Sequence, residues 1–193
     1  MTVARLPASA SWRHVRAREG FEATFFRPQQ SGYCITGHTT AVEQREVWAV
    51  RYTISVDDRW TTRGARIWGW TVGGERETRL DADGLGHWEV DGTPRPEIDG
   101  CLDVDLESSA CTNMIPLRRL ELRVGQTARA PAAYVRARDV RVERLEQTYT
   151  RLRDDGSTQR YQYRAPSFDF ESLLVYDACG VTLDYPGIAT RAS

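Results

Sequence analysis

EVWAVRYTISV, residues 46–56, decides the fold class. Trp48, Val50, Tyr52, Ile54 and Val56 share one parity, and Arg51, Thr53 and Ser55 take the other. A period of two with one oily side is the pattern of a half-buried strand. ARIWGWTV (65–72) continues it, with Trp68, Trp70 and Val72 aligned, and RLELRV (119–124) places Leu120, Leu122 and Val124 inside. RYQYR and SLLVYD carry the aromatic and β-branched content of further strands. Between the runs lie turn-forming stretches: VGGE at 72–75, DADG at 81–84, DGTPRP at 91–96, DDGS at 154–157 and YPG at 185–187. No window of a dozen residues holds a 3.6-residue period, and the one short helix considered, in HVRAREGFEATFF (14–26), is interrupted by Gly20. The expectation is an all-β, mostly antiparallel fold.

At 193 residues the chain fits a single domain, expected over 12–193 behind a flexible N-terminus at 1–11. An internal echo suggests two pseudo-repeats, about 12–100 and 101–193. WTTR (60–63) matches TYTR (148–151), and DADG (81–84) matches DACG (177–180) at nearly the same spacing.

The formal charge of −1 gives no electrostatic reason to expect nucleic acid or an acidic membrane as partner. All 26 basic residues are arginine, which excludes Schiff-base and P-loop lysine chemistry. No apolar run reaches the length of a signal-peptide core or a transmembrane helix, and the four scattered cysteines read as reduced thiols, so a cytoplasmic protein is the default expectation. His14, His38 and His87 have no metal-ligand spacing, and no nucleophile elbow or glycine-rich phosphate loop is present. Neither metal nor cofactor is expected, and no residue is assigned a catalytic role.

The stretch that carries candidate chemistry is GCLDVDLESSACTNMIPLRRL, 100–120. Alternation places Asp103 and Asp105 on one face of a strand. A D-x-D pair can hold a cation or share acid and base duties. If CLDVDL and LRRLELR form a hairpin, Arg119 and Arg123 meet the aspartates across it, and the pairing is a frame rather than a site. Arg118 has the inward parity of Leu120 and Leu122. A buried guanidinium requires a carboxylate partner or a polar cavity, unless a bulge beside Pro116 turns it round. Thr112 and Asn113 read as a turn, with Asn113 bonding its own backbone. Five of the six tryptophans lie between 48 and 88, suited to lining a cleft for sugar rings or lipid chains. Trp48 is the core candidate and Trp60, in DDRWTTR, the accessible one.

CLDVDL followed by TNMIPLRRL resembles the signature of the bacterial glycolipid-binding family, formerly a domain of unknown function. The resemblance runs from about Trp12 to Arg191. Its supporting segments are GFE (20–22), Tyr52, RWTTR (59–63), QTYT (147–150) and the D-x-x-G-V-x-x-D-Y-P string of Asp177 to Pro186. It implies a spiral β-roll or open barrel built from a doubled multi-strand unit and similar in shape to lipoprotein carriers. The implied function is non-catalytic binding of a glycolipid or other amphipathic small molecule. The positions that match the family are Trp60, Arg63, Asp103, Asp105, Asn113, Arg118, Arg119, Tyr149, Asp184, Tyr185 and Arg191, as ligand contacts or as determinants of the fold. Two alternatives stand beside it: an enzyme acting on sugar or lipid derivatives through Asp103, Asp105 and Arg118, and an intracellular interaction domain with no ligand.

Overall fold

The computed structural model describes residues 5–16 and 18–193. The first half of the chain is a continuous antiparallel meander. It runs through β1 (Ser9–His14), β2 (Glu19–Pro28), β3 (Tyr33–Glu43), β4 (Glu46–Val56), β5 (Thr62–Thr71), β6 (Gly74–Ala82), β7 (Trp88–Val90) and β8 (Thr93–Pro94). A short strand β9 (Asp103–Leu106) then leads into the helix α1 (Met114–Leu120). The second half holds β10 (Thr127–Arg129), β11 (Ala132–Val135), β12 (Val142–Leu145), β13 (Thr148–Arg151) and β14 (Gln159–Ala165). It ends with β15 (Phe170–Tyr176), β16 (Thr182–Tyr185) and β17 (Ala189–Arg191).

Fourteen strands form one open sheet in the order β10-β13-β14-β15-β16-β17-β1-β2-β3-β4-β5-β6-β7-β8. The two halves meet where β1 pairs with β17, Trp12 opposite Arg191. β12-β11-β9 make a separate three-stranded sheet in which β9 runs parallel to β11. The main core draws on the large sheet, the small sheet and α1 together, so the small sheet and the helix fill the inside of the curl. Trp12, fully buried, fastens the seam by donating its indole N–H to the Thr182 carbonyl at 2.8 Å. The all-β expectation holds, in the form of an open sheet rather than a closed barrel.

Burial follows the parity of EVWAVRYTISV: Trp48, Val50, Tyr52, Ile54 and Val56 are all buried. In β5 the expected face is reversed. Ala65, Ile67 and Gly69 point inward while Trp70 is exposed and Trp68 half-exposed. The inner side at Gly69 has little room, since a Cβ there would lie 3.0 Å from Val140 in the connection between β11 and β12. The bulky residues therefore turn outward, and Trp68 is held between Arg51 and Arg66, whose guanidinium carbons lie 4.0 and 4.8 Å from its ring.

Three further expectations change. Ser9, Ala10 and Ser11, assigned to a flexible leader, belong to β1 and pair with β2, and residues 1–4 of that leader lie outside the described residues. The helix considered at 14–26 is the end of β1 and most of β2, with Ala17 outside the described residues. The DADG–DACG echo corresponds to a turn that occurs three times among the described residues. Asp57, Asp83 and Asp177 each accept, at one carboxylate oxygen, the backbone N–H groups two and four residues ahead. Asp177 is thus the counterpart of Asp83, two residues along from the sequence match at Asp81.

Gly37 shows how tightly the large sheet packs. It sits opposite Tyr52 on β4, and a Cβ at Gly37 would come within 2.1 Å of the Tyr52 ring. Gly37→Ala is expected to destabilise the fold by about 1–3 kcal/mol through overpacking, measured by urea denaturation. Unchanged stability would mean the ring has somewhere else to go.

Candidate functional site

The segment after β9 is built differently from the expected hairpin. LRRLELR is not a strand: Met114–Leu120 is helical, and Glu121 ends the helix in a left-handed conformation at φ 45°. The Asp103–Arg119 pairing nevertheless forms, across the helix–strand packing, with Nε and Nη2 reaching the two carboxylate oxygens at 2.9 and 2.6 Å. Arg123 is exposed and takes no part. Every residue of β9 is buried, because the strand is covered on both faces. Its alternation separates an oily buried face from a polar buried face, not core from solvent.

The loop between β9 and α1 is fixed by Glu22, whose carboxylate is fully buried. It accepts from Tyr52 Oη at 2.6 Å, Ser109 Oγ at 2.5 Å and the Ala110 N–H at 2.7 Å. Burial nonetheless raises its pKa, with these hydrogen bonds acting the other way. The Asn113 amide donates to Tyr149 Oη at 2.8 Å rather than to its own backbone. Tyr149 and Tyr163 in turn donate to Gln147 Oε1. Tyr149 and the Asp103–Arg119 pair are thus internal framework.

Beside this framework lies a cavity of about 200 Å³. Asp105, Asn113 and Tyr185 converge on it with Arg18, Glu43, Glu107, Ser109, Tyr134, Tyr163, Phe168 and Phe170. Asp105 accepts from Thr112 Oγ1 at 2.6 Å, and burial pushes its carboxyl pKa up to about 6. Arg18 is only 7% exposed. Its Nε donates to His14 Nδ1 at 2.5 Å and its Nη1 to the Glu107 carbonyl at 2.9 Å, while Nη2 has no partner among the described residues. Burial first, and then the Arg18 charge, lowers the His14 pKa to about 3, so the imidazole is a neutral acceptor. Arg18 was absent from the sequence reading: it lies in RAREG, which has no strand or site pattern of its own.

A larger groove, about 750 Å³, opens where the β3–β4 and β5–β6 hairpins end. Val47, Trp48, Ala49, Trp70 and Val72 line it, together with Arg45, Arg76 and Arg138. Val47 and Val72 are 69% and fully exposed, an unusual disposition for valine. The groove and the cavity have no lining residue in common, and a side-chain contact links them. Trp48 faces the groove and donates its indole N–H to Glu43 Oε2 at 3.3 Å, and Glu43 lines the cavity. The Arg18 guanidinium lies over the Trp48 ring, 5.1 Å from its centre.

The remaining expected residues lie elsewhere. Arg118 is carried by α1, not by a strand, and lies over the Trp60 ring at 4.3 Å while donating to the Cys179 carbonyl. It borders a separate open groove of about 520 Å³ with Leu122, Arg151, Tyr161 and Gly180. Trp60, expected to be accessible, is 8% exposed, covered by Arg118 and stacked on Tyr33 at 5.2 Å. Its φ of 64° is rare for a bulky residue and is held by the Asp57 turn. Arg63 is exposed and lies across Gly84.

A family model described as "Putative glycolipid-binding" matches residues 9–191. Among solved structures, a DUF1089 family protein from Pseudomonas aeruginosa is 33% identical, with a TM-score of 0.77 over 99% of this chain and 96% of that one. A β-barrel-like protein of the DUF1849 domain from Brucella abortus aligns over 95% of this chain and 92% of its own. At 11% identity and a TM-score of 0.51, it supports the fold alone. No curated protein matches the chain.

Proposed function

The chain belongs to the glycolipid-binding family, and from that premise we propose that it is a non-catalytic binding protein for an amphipathic ligand such as a glycolipid. The polar end of the ligand enters the cavity of Arg18, Asp105, Asn113 and Tyr185, and its apolar part lies along the groove of Val47, Trp48, Trp70 and Val72. The observation that carries this reading is the contact that links the two linings, Trp48 of the groove with Glu43 of the cavity. An oily trough backed by a polar and aromatic recess has the polarity profile of an amphiphile.

The volumes support the same division. Ordinary small-molecule pockets occupy roughly 300–1,000 Å³. At about 200 Å³ the cavity suits a single head group, whereas about 750 Å³ of groove suits the chain. Tyrosine and phenylalanine faces stack on sugar rings, and Asn113 and Asp105 bring the amide and carboxyl chemistry that meets hydroxyls. Arg118 and Trp60, first expected to meet the ligand, border a different groove and have no part in this proposal. The catalytic alternative loses its basis, because Asp103 is committed to Arg119 and Arg118 does not line the cavity with Asp105.

The test is a titration with dodecyl maltoside below its micelle concentration, against free maltose and against dodecanol, read by tryptophan fluorescence. The alkyl glycoside is expected to bind at least about tenfold tighter than either half alone, since the linked parts share one cost of association. Val47→Asp with Val72→Asp is expected to weaken it. Equal weak binding of all three probes, and no lipid retained in native mass spectra of the purified protein, would overturn the proposal.

A further inference from the structure

We propose that the polar end of the ligand carries an anionic group, a carboxylate, sulfate or phosphate ester, and that Arg18 is the residue that selects it. This rests on the binding reading above and deepens it. A guanidinium withdrawn from water is costly unless a negative charge meets it. Arg18 is 7% exposed, yet among the described residues no carboxylate lies within 4.0 Å of it.

The carboxylates around Arg18 are engaged elsewhere. Glu22 is held by Tyr52, Ser109 and Ala110. Glu43 accepts from Trp48 and is paired with Arg138 at 3.5 Å. Glu107 offers Arg18 only its backbone carbonyl, while its carboxylate accepts from Arg136 at 3.2 Å and the Ala137 N–H at 2.8 Å. Asp105, on the same cavity, bonds Thr112 and pairs with no arginine. Arg18 is therefore positioned by neutral acceptors, the His14 imidazole and a carbonyl, while the carboxylates of Glu22, Glu43 and Glu107 act on its charge through space without touching it. Its Nη2 is left without a partner among the described residues, in a residue that lines the cavity.

A charged head group would supply the direct oxyanion contact that these carboxylates do not make. Hydrogen bonds between a guanidinium and an oxyanion are shorter and stronger than neutral ones, and the aromatic surroundings reduce competition from water. Trp48, beneath the guanidinium, adds a cation–π contact that holds the group in place when the cavity is empty.

Dodecyl glucoside and dodecyl glucuronide, equal in chain length and in having one sugar ring and differing in charge, test this in low salt. Wild-type protein is expected to prefer the glucuronide by about tenfold, the size of one charge-assisted contact. Arg18→Met should bring the ratio to about one, and Arg18→Lys should restore part of it. Should Arg18→Met fail to fold, the wild-type ratio is measured against rising sodium chloride and against free glucuronate or sulfate as competitors. Equal affinity of wild-type protein for the two glycosides overturns this inference and leaves the binding proposal standing. A preference that survives Arg18→Met also overturns it. Binding of neither glycoside overturns both.

Discussion

Arg119→Met is expected to cost about 3–5 kcal/mol of stability, because it strands the Asp103 carboxylate in the interior. The Asp103 side chain is fully shielded and that of Arg119 is 15% exposed, so water replaces little of what the guanidinium provides. Both carboxylate oxygens lose their donors at once. At this chain length the loss corresponds to a melting temperature roughly 6–20 °C lower. Burial already raises the Asp103 pKa against the pull of Arg119. Without the arginine it rises further, so the variant's deficit should be largest at high pH and shrink as the carboxyl takes up a proton. Asp103→Leu combined with Arg119→Met should recover most of the loss, since a matched apolar pair carries no desolvation cost. Urea denaturation of the two single variants and the double variant measures the coupling. Additive losses would mean the pair does not hold α1 to β9.

Asp105→Asn is expected to remove a pH dependence rather than to weaken the fold. Its folded pKa is raised by burial from 3.8 to about 6, so the folded protein holds this proton more tightly than the unfolded chain does. The resulting stability is fully present below pH 3.8 and is lost as pH rises through about 6. That loss amounts to at most about 3 kcal/mol. The asparagine oxygen can still accept from Thr112 Oγ1, so the local geometry survives. Wild-type protein and variant should be closest in stability near pH 4, and the variant should gain on wild type up to pH 7. A difference that stays flat from pH 4 to 7 would refute the raised pKa. Glu22 and Asp103 titrate in both proteins and cancel in the comparison.

Strand content was legible because burial on one side of a sheet imposes a period of two, and β4 follows it residue by residue. β5 has the same period but the opposite face. Alternation reports that two faces differ, and only the space available at Gly69 decides which one carries the tryptophans. The stretch 114–124 misled for a related reason. Leu120, Leu122 and Val124 alternate as a strand would, Leu117 and Leu120 are spaced as in a helix, and a seven-residue helix completes too few turns to assert its own period. A meeting of Arg119 with the aspartates was expected only across a hairpin; the hairpin is absent, and Asp103 and Arg119 pair across the helix–strand packing because a buried carboxylate needs a partner.

The site was legible only in part. Asp105, Asn113 and Tyr185 meet at the cavity, while Arg63, Arg118 and Trp60 lie away from it. Arg18 left no signal, because its meaning lies in what it lacks. A guanidinium without a direct ion pair is recognised only once the groups around it are placed, and these come from β2, β3, β11 and the loop after β9, far apart in the chain.

By itself, the order of residues determined that this chain folds as antiparallel strands joined by tight turns, and that its acidic and basic residues near 103 and 119 belong together. Those are local consequences of side-chain alternation, turn chemistry and charge. Tertiary structure alone decided which faces turn inward, that a helix replaces a strand after β9, and that Arg18 overlooks the cavity in place of Arg118. Each of these depends on volume and dielectric, which exist only once distant segments have packed.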